Sequence, residues 1–162
     1  MSSTERVFIG IDPGLDGAVC VLAGSEARFF DTPTAKGTTK RDYLIYEMAD
    51  FLKPYAGAKA YLEAVSGRPG QGTASARSVG RGSGIWEGIL AAHGIALEIV
   101  QPAVWKRSLG LLGADKDASR AKAQSLYPEA LALLQRKKDA DRAEALLLAE
   151  YGRRKAGKAG AG

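Results

Sequence analysis

Asp12 ends the apolar run Val7, Phe8, Ile9 and Ile11 and is followed at once by the turn signal Pro13-Gly14. Glu63 interrupts a second apolar segment, AKAYLEAV at residues 58–65. Near the C-terminus, KKDADRAEALLLA carries Asp139, Asp141 and Glu144 at the start of a helical pattern. Asp141 and Glu144 are three apart and share one face of a helix. Asp139, five before Glu144, lies about 140° round it; it either joins that face from a frayed first turn or caps the helix. Charged groups in apolar segments are rarely buried unless paired or bound to a metal. Gathered carboxylates repel, and the arrangement gains a purpose when divalent cations neutralise it. Mg2+ takes oxygen ligands, and two such ions about 4 Å apart activate a water and stabilise a leaving oxygen in phosphodiester hydrolysis. The competing interpretation is a set of unrelated surface acids: a turn aspartate, a strand-end glutamate and charges that suit a helix N-terminus. Spacing alone leaves both open.

The elements that must position these acids follow from periodicity. Residues 5–11, 17–23 and 27–31 read as three strands with tight turns, an antiparallel meander. Thr32–Lys40 reads as a loop, and Arg41–Leu52 as a helix closed by Pro54. Residues 58–65 form a fourth strand, a polar glycine-rich span runs over Ser66–Gly84, and a helix beginning near Ala74 ends at Gly94. Ile95–Val100 is a fifth strand; QPAVWKRSLGL is a turn and short helix; Ala118–Tyr127 and Asp139–Arg153 are the last helices. The order βββαβαβαα predicts an α/β fold with a mixed sheet. A domain over 1–154 is expected, with 155–162 a disordered Gly/Ala/Lys tail.

A length of 162 residues suits one domain with a real core. No apolar run reaches the roughly 18 residues that cross a bilayer. MSSTERVFIG lacks the basic-then-apolar order of a secretory signal, so a cytoplasmic protein with no membrane partner is expected. The single cysteine, Cys20, excludes an internal disulfide and a cysteine-based zinc site; mid-strand, it reads as core. The net charge of +5 suits either surface solubility or a polyanionic partner. Its distribution favours the partner, because basic residues gather in Lys36–Arg41, Arg68–Arg81, Lys106–Arg107, Arg136–Lys138 and Arg153–Lys158. Arg68, Arg77 and Arg81 are candidate phosphate contacts in the glycine-rich span. Lys106 follows the last predicted strand, and Lys116 lies ten residues later near a helix N-terminus. His93, the sole histidine, reads as a helix C-cap or surface group. Trp86 packs either in the core or at an interface, and Trp105 reads as a packing anchor. GRGSG lacks the GK[ST] ending of a P-loop.

FIGIDPGLDGAVCVL, then YLEAV and the closing DRAEALLLA resemble, in order and spacing, the RuvC-type Holliday-junction resolvases, and most of all their small bacteriophage-type members. SARSVGRGSGIWEGIL is similar to the helix after that family's glutamate, and QPAVWKRSLGLLGADKDASRA to its basic stretch after the last strand, which makes Lys106 and Lys116 candidates to hold a scissile phosphate. The resemblance spans roughly residues 6–152. It implies an RNase H-like fold, a five-stranded mixed sheet flanked by helices, and a homodimer that nicks a four-way DNA junction symmetrically. It implies Mg2+ or Mn2+, two ions per site, and action in the cytoplasm of a bacterial or phage-infected cell. The family's strand-one aspartate falls on Asp12, its strand-four glutamate on Glu63, and its last-helix acids on Asp141 and Glu144. Glu144 is one methylene longer than the usual aspartate, which leaves Asp139 open as a further catalytic group. Many members carry an aromatic soon after their glutamate; here Ser66-Gly67-Arg68 follows, so Arg68 or Arg81 is a candidate for the junction centre. Other functions weigh against this one. A sugar-kinase or actin-like ATPase shares a GIDxG strand but needs two such domains. A non-catalytic junction binder would have lost its acids. A metal nuclease for flap DNA or RNA hybrids stays open.

Overall fold

The computed structural model of the chain describes residues 5–37, 39–67 and 69–161. β1 (Val7–Asp12), β2 (Ala18–Ala23) and β3 (Glu26–Asp31) form the expected antiparallel meander. β1 also pairs in parallel with β6 (Lys59–Glu63), and β6 with β7 (Ala96–Val100). The result is a five-stranded mixed sheet of order β3-β2-β1-β6-β7. α1 (Ile45–Leu52) and α2 (Thr73–Ala92) cover one face; α4 (Lys116–Leu126) and α5 (Ala140–Ala159) cover the other, and α3 (Pro102–Ser108) follows β7.

Two differences from the sequence expectation have clear causes. Thr34–Lys36 and Arg41–Tyr43 are β4 and β5, a two-stranded ribbon rather than a loop and a first helical turn. Tertiary contacts override the helical pattern there. The Arg41 guanidinium donates to Asp16 Oδ1 at 2.8 Å and to the Leu15 carbonyl at 3.0 Å. Tyr43 is buried and donates its hydroxyl to the Ser78 carbonyl on α2 at 2.9 Å. At the other end α5 runs on to Ala159, so residues 155–159 are helix and not the expected disordered tail. Alanine and lysine are strong helix formers, and Lys155 is tied to Glu98 of β7.

Strand alternation sorts the core. Ile9, Ile11, Val19, Val21 and Leu62 pack against Met48, Leu52, Trp86 and Leu90 of α1 and α2. Phe8, Cys20, Leu22 and Tyr61 face Leu146, Leu147, Ala149 and Trp105. Trp86 is therefore core, and so is Cys20, whose thiol burial pushes well above the ordinary range. Because side chains alternate with period two, Asp12 follows Phe8 and Gly10, and Glu63 follows Tyr61, onto the α5 face. α5 approaches β1 so closely that a methyl on Gly10 would overlap the Ala145 carbonyl oxygen and come within 2.6 Å of the Ala149 amide nitrogen. Two strand residues advance about 6.7 Å and four helix residues about 6 Å. One step onward from this contact therefore sets Asp12 beside Asp141.

Gly10→Ala is expected to force α5 off the sheet and cost about 3 kcal/mol, the upper end for an overpacked core, which is a fall in Tm of roughly 6 °C or more. Gly157→Ala, on an exposed stretch of α5 with nothing within 4 Å of the added carbon, is expected to raise stability by about 0.5–1 kcal/mol. Thermal unfolding of the two variants checks both.

Candidate functional site

The C-terminal ends of β1 and β6 and the N-terminal end of α5 meet at a cleft of about 600 Å³. Asp12, Asp141 and Glu144 bring one carboxylate oxygen each to within 4.8 Å of one another. Asp12 and Asp141 are partly exposed and Glu144 is buried. The turn after Asp12 is built to release its side chain into this cleft. Gly14 has φ +120°, a value that favours glycine. The Gly17 amide closes on the Gly14 carbonyl at 3.1 Å. The first turn of α5 suits acids for a further reason: unsatisfied amides give a helix N-terminus partial positive charge.

Glu63 enters the same cleft from β6, with its Oε2 accepting a 2.7 Å hydrogen bond from the Trp105 indole nitrogen. Two lysines stand over the acids. Lys106 Nζ is 3.3 Å from Glu144 Oε1, and Lys116 Nζ is 2.5 Å from Asp141 Oδ1. Burial raises the Asp12 carboxyl well above the ordinary aspartate range, and the charges of Glu63, Asp141 and Glu144 raise it further against the opposing pull of Lys116. Burial works against the charge of Lys116, yet the bond to Asp141 and the neighbouring acids hold its ammonium above the usual lysine range.

Of the residues singled out in the sequence, Asp12, Glu63, Asp141, Glu144, Lys106 and Lys116 converge here. Asp139 does not. It is 2% exposed and turned away to Arg136, which donates its backbone amide at 2.9 Å and its guanidinium at 2.8 Å. Those bonds lower its carboxyl below the ordinary range, with burial opposing them. Asp139 thus pins the turn ahead of α5, as its angular offset from Glu144 allows. Arg77 and Arg81 ride α2 and not a loop. Ser75 and Val79 of that helix line the cleft, and Arg77 and Arg81, two residues on from each, lie about 160° round it. Arg81 pairs with Asp42 and sits 5.7 Å from the Tyr43 ring centroid; Arg77 is exposed. Arg68 lies outside the described residues. His93 is the C-cap of α2, with its Nε2 2.8 Å from the Ala49 carbonyl oxygen.

Two contributors escaped the sequence reading. The indole of Trp105 is the partner of Glu63, and the available signal was that a buried tryptophan usually finds an acceptor. Arg142 grips Asp31 of β3 through two bonds of 2.6 Å. It locks the start of α5 to the sheet between Asp141 and Glu144; nothing in DRAEA identifies that partner.

No protein-family model matches the sequence, and no curated protein matches it. Among solved structures the chain is similar to RuvC of Thermus thermophilus in complex with Holliday junction substrate, with a TM-score of 0.67 at 18% identity over 93% of this chain and 96% of that one. A second structure of Thermus thermophilus RuvC gives a TM-score of 0.62, again at 18% identity, over 93% and 97%. The chain has the RNase H-like fold of RuvC. The RuvC fold here carries an all-oxygen acidic group suited to a hard divalent cation. The 4.8 Å span of its three oxygens is close to the roughly 4.2 Å that separates opposite oxygens around a small divalent cation. Among the described residues no helix is long and apolar enough to cross a membrane.

A raised aspartate means that the folded chain binds more protons than the unfolded one between the two pKa values, so stability falls as pH climbs through that window. Without divalent ions, Asp12→Asn is expected to remove that fall and to melt higher than the parent at neutral pH by about 3 °C or more, the response to roughly 1 kcal/mol. Tm against pH in a chelator measures it; identical profiles for the two proteins would refute the electrostatic account.

Proposed function

We propose that this protein is a divalent-metal-dependent endodeoxyribonuclease that cuts branched DNA, with the four-way junction as its substrate. The observation that carries this reading is the convergence of Asp12, Asp141 and Glu144 in a cleft flanked by Lys106 and Lys116. The structural likeness to RuvC supports it, since that protein is seen in complex with a Holliday junction substrate. Two copies of the chain, one for each of two opposed strands, would make the cut symmetric.

Asp12, Asp141 and Glu144 hold Mg2+ or Mn2+ in this reading, with Glu63 completing a site for two ions. Divalent ions so placed supply an activated water at neutral pH and counter-charge for the leaving oxygen. The chain's own groups do the rest. β1 and β6 fix two carboxylates on a rigid sheet, and the 2.6 Å bonds of Arg142 to Asp31 fix the helix that brings the others. Lys116 and Lys106 lie against the acids and offer ammonium protons to a phosphate entering the cleft, where charge grows as the bond breaks. Arg77, exposed on α2, contacts the backbone of an arm beyond the cleft and carries no sequence information.

Asp12→Asn and Glu63→Gln are each expected to lower cleavage of a four-way junction by more than the roughly 10–100-fold that loss of an outer partner costs a metal site, while junction binding persists. Gel assays with Mg2+ or Mn2+ on junction, flap and linear duplex check this. Cutting retained by both variants, or linear duplex cut as readily as the junction, overturns the reading. Arg77→Ala is expected to weaken junction binding evenly across sequences and to reduce the slope of log K against log salt by about 1, read from binding at several salt concentrations.

A further inference from the structure

Trp105 and Trp86 are both wholly buried, and their indole nitrogens meet opposite fates. Among the described residues Trp86 Nε1 has no hydrogen-bond partner. Trp105 Nε1 donates to Glu63 Oε2 at 2.7 Å. Its acceptor is an acid of the candidate site. The ring of Trp105 bears on a second acid as well: Lys106 Nζ lies 5.2 Å from its centroid, and the same ammonium is 3.3 Å from Glu144. One turn of α3 thus reaches both glutamates of the cleft, one by hydrogen bond and one through lysine.

A glutamate at a strand end has three side-chain torsions to restrict before it can act as a fixed ligand. An N–H donor on one oxygen selects an orientation and directs the carboxylate charge. Pre-organisation of this kind lowers the ordering cost at the moment of binding. We propose that Trp105 is a positioning residue: its indole N–H fixes the Glu63 carboxylate and so sets how tightly the cleft holds a divalent cation. The inference rests on the metal-dependent reading above.

Calorimetric titration of the full chain with Mn2+, without DNA, tests it in four proteins: the parent, Trp105→Phe, Glu63→Gln and the double variant. Phenylalanine keeps an aromatic ring in the buried site and removes the donor. Trp105→Phe is expected to weaken Mn2+ binding by about 10–100-fold, as loss of a partner behind a metal ligand does. In the Glu63→Gln background it is expected to have no further effect, because the coupling runs through Glu63. Parent-like affinity in Trp105→Phe, or the same weakening in both backgrounds, overturns the role. A parent chain that takes up no Mn2+ overturns the metal-dependent reading itself and this inference with it. If Trp105→Phe fails to fold, indole 1H–15N spectra of the parent and Glu63→Gln decide. Mg2+ is expected to move the Trp105 resonance in the parent only, leaving Trp86 in place; a Trp105 resonance that ignores both Mg2+ and Glu63→Gln overturns the proposal.

Discussion

The contact of Gly10 with Ala145 and Ala149 is the constraint on which the rest of this structure depends. Only a residue without a side chain lets a helix backbone lie this close to a central strand. The contact fixes α5 against β1 in direction and register, and the same approach recurs at the far end of the helix, where Gly152 lies against the Tyr61 ring. Between these points α5 is buried almost throughout. The helix has no freedom to slide, and the acids of its first turn are therefore delivered to the end of β1 as rigidly as those of the sheet.

Most of the fold was legible because its signals are local. The meander, the parallel strands and the helices all carry clear periodicity, and Asp12 and Glu63 stand out because they break it. Asp141 and Glu144 could be paired by spacing alone. The β4–β5 ribbon was not legible, since what holds it, Arg41 on Asp16 and Tyr43 beneath α2, joins residues distant in sequence. The end of α5 was misread for a related reason. Its Gly/Ala/Lys composition suggests disorder, but Lys155 finds Glu98 on β7, and no pattern within the segment announces that partner.

Asp139 shows the limit most clearly. In sequence it is one more acid in KKDADRAE; in space it faces Arg136 and not Asp12. A helix separates residues five apart by about 140°, which was enough to cast doubt on it as a ligand but not to name its true partner. Trp105 is the converse case. Its size and setting marked it for burial, whereas the acceptor of its N–H sits 42 positions away on another element.

The acids of the core and of the cleft divide by the cation that meets them, and the division separates scaffold from candidate site. Asp139 and Glu150 meet arginine. Burial opposes the charge of Glu150, yet bonds from Arg153, Tyr127 and Arg154 hold its carboxyl below the ordinary range. A guanidinium stays charged and offers a planar fork that matches a carboxylate, so such pairs are permanent braces. Asp141 and Glu144 meet lysine instead, and Asp12 meets mainly other acids. An ammonium is a single mobile charge on a flexible stem, easily exchanged for another cation or turned toward a phosphate. Arginine at these positions would satisfy the acids in place and lock the cleft. Lysine leaves their negative charge only partly compensated, which favours uptake of a divalent ion in the proposed reading, and it keeps an ammonium free to turn toward a phosphate.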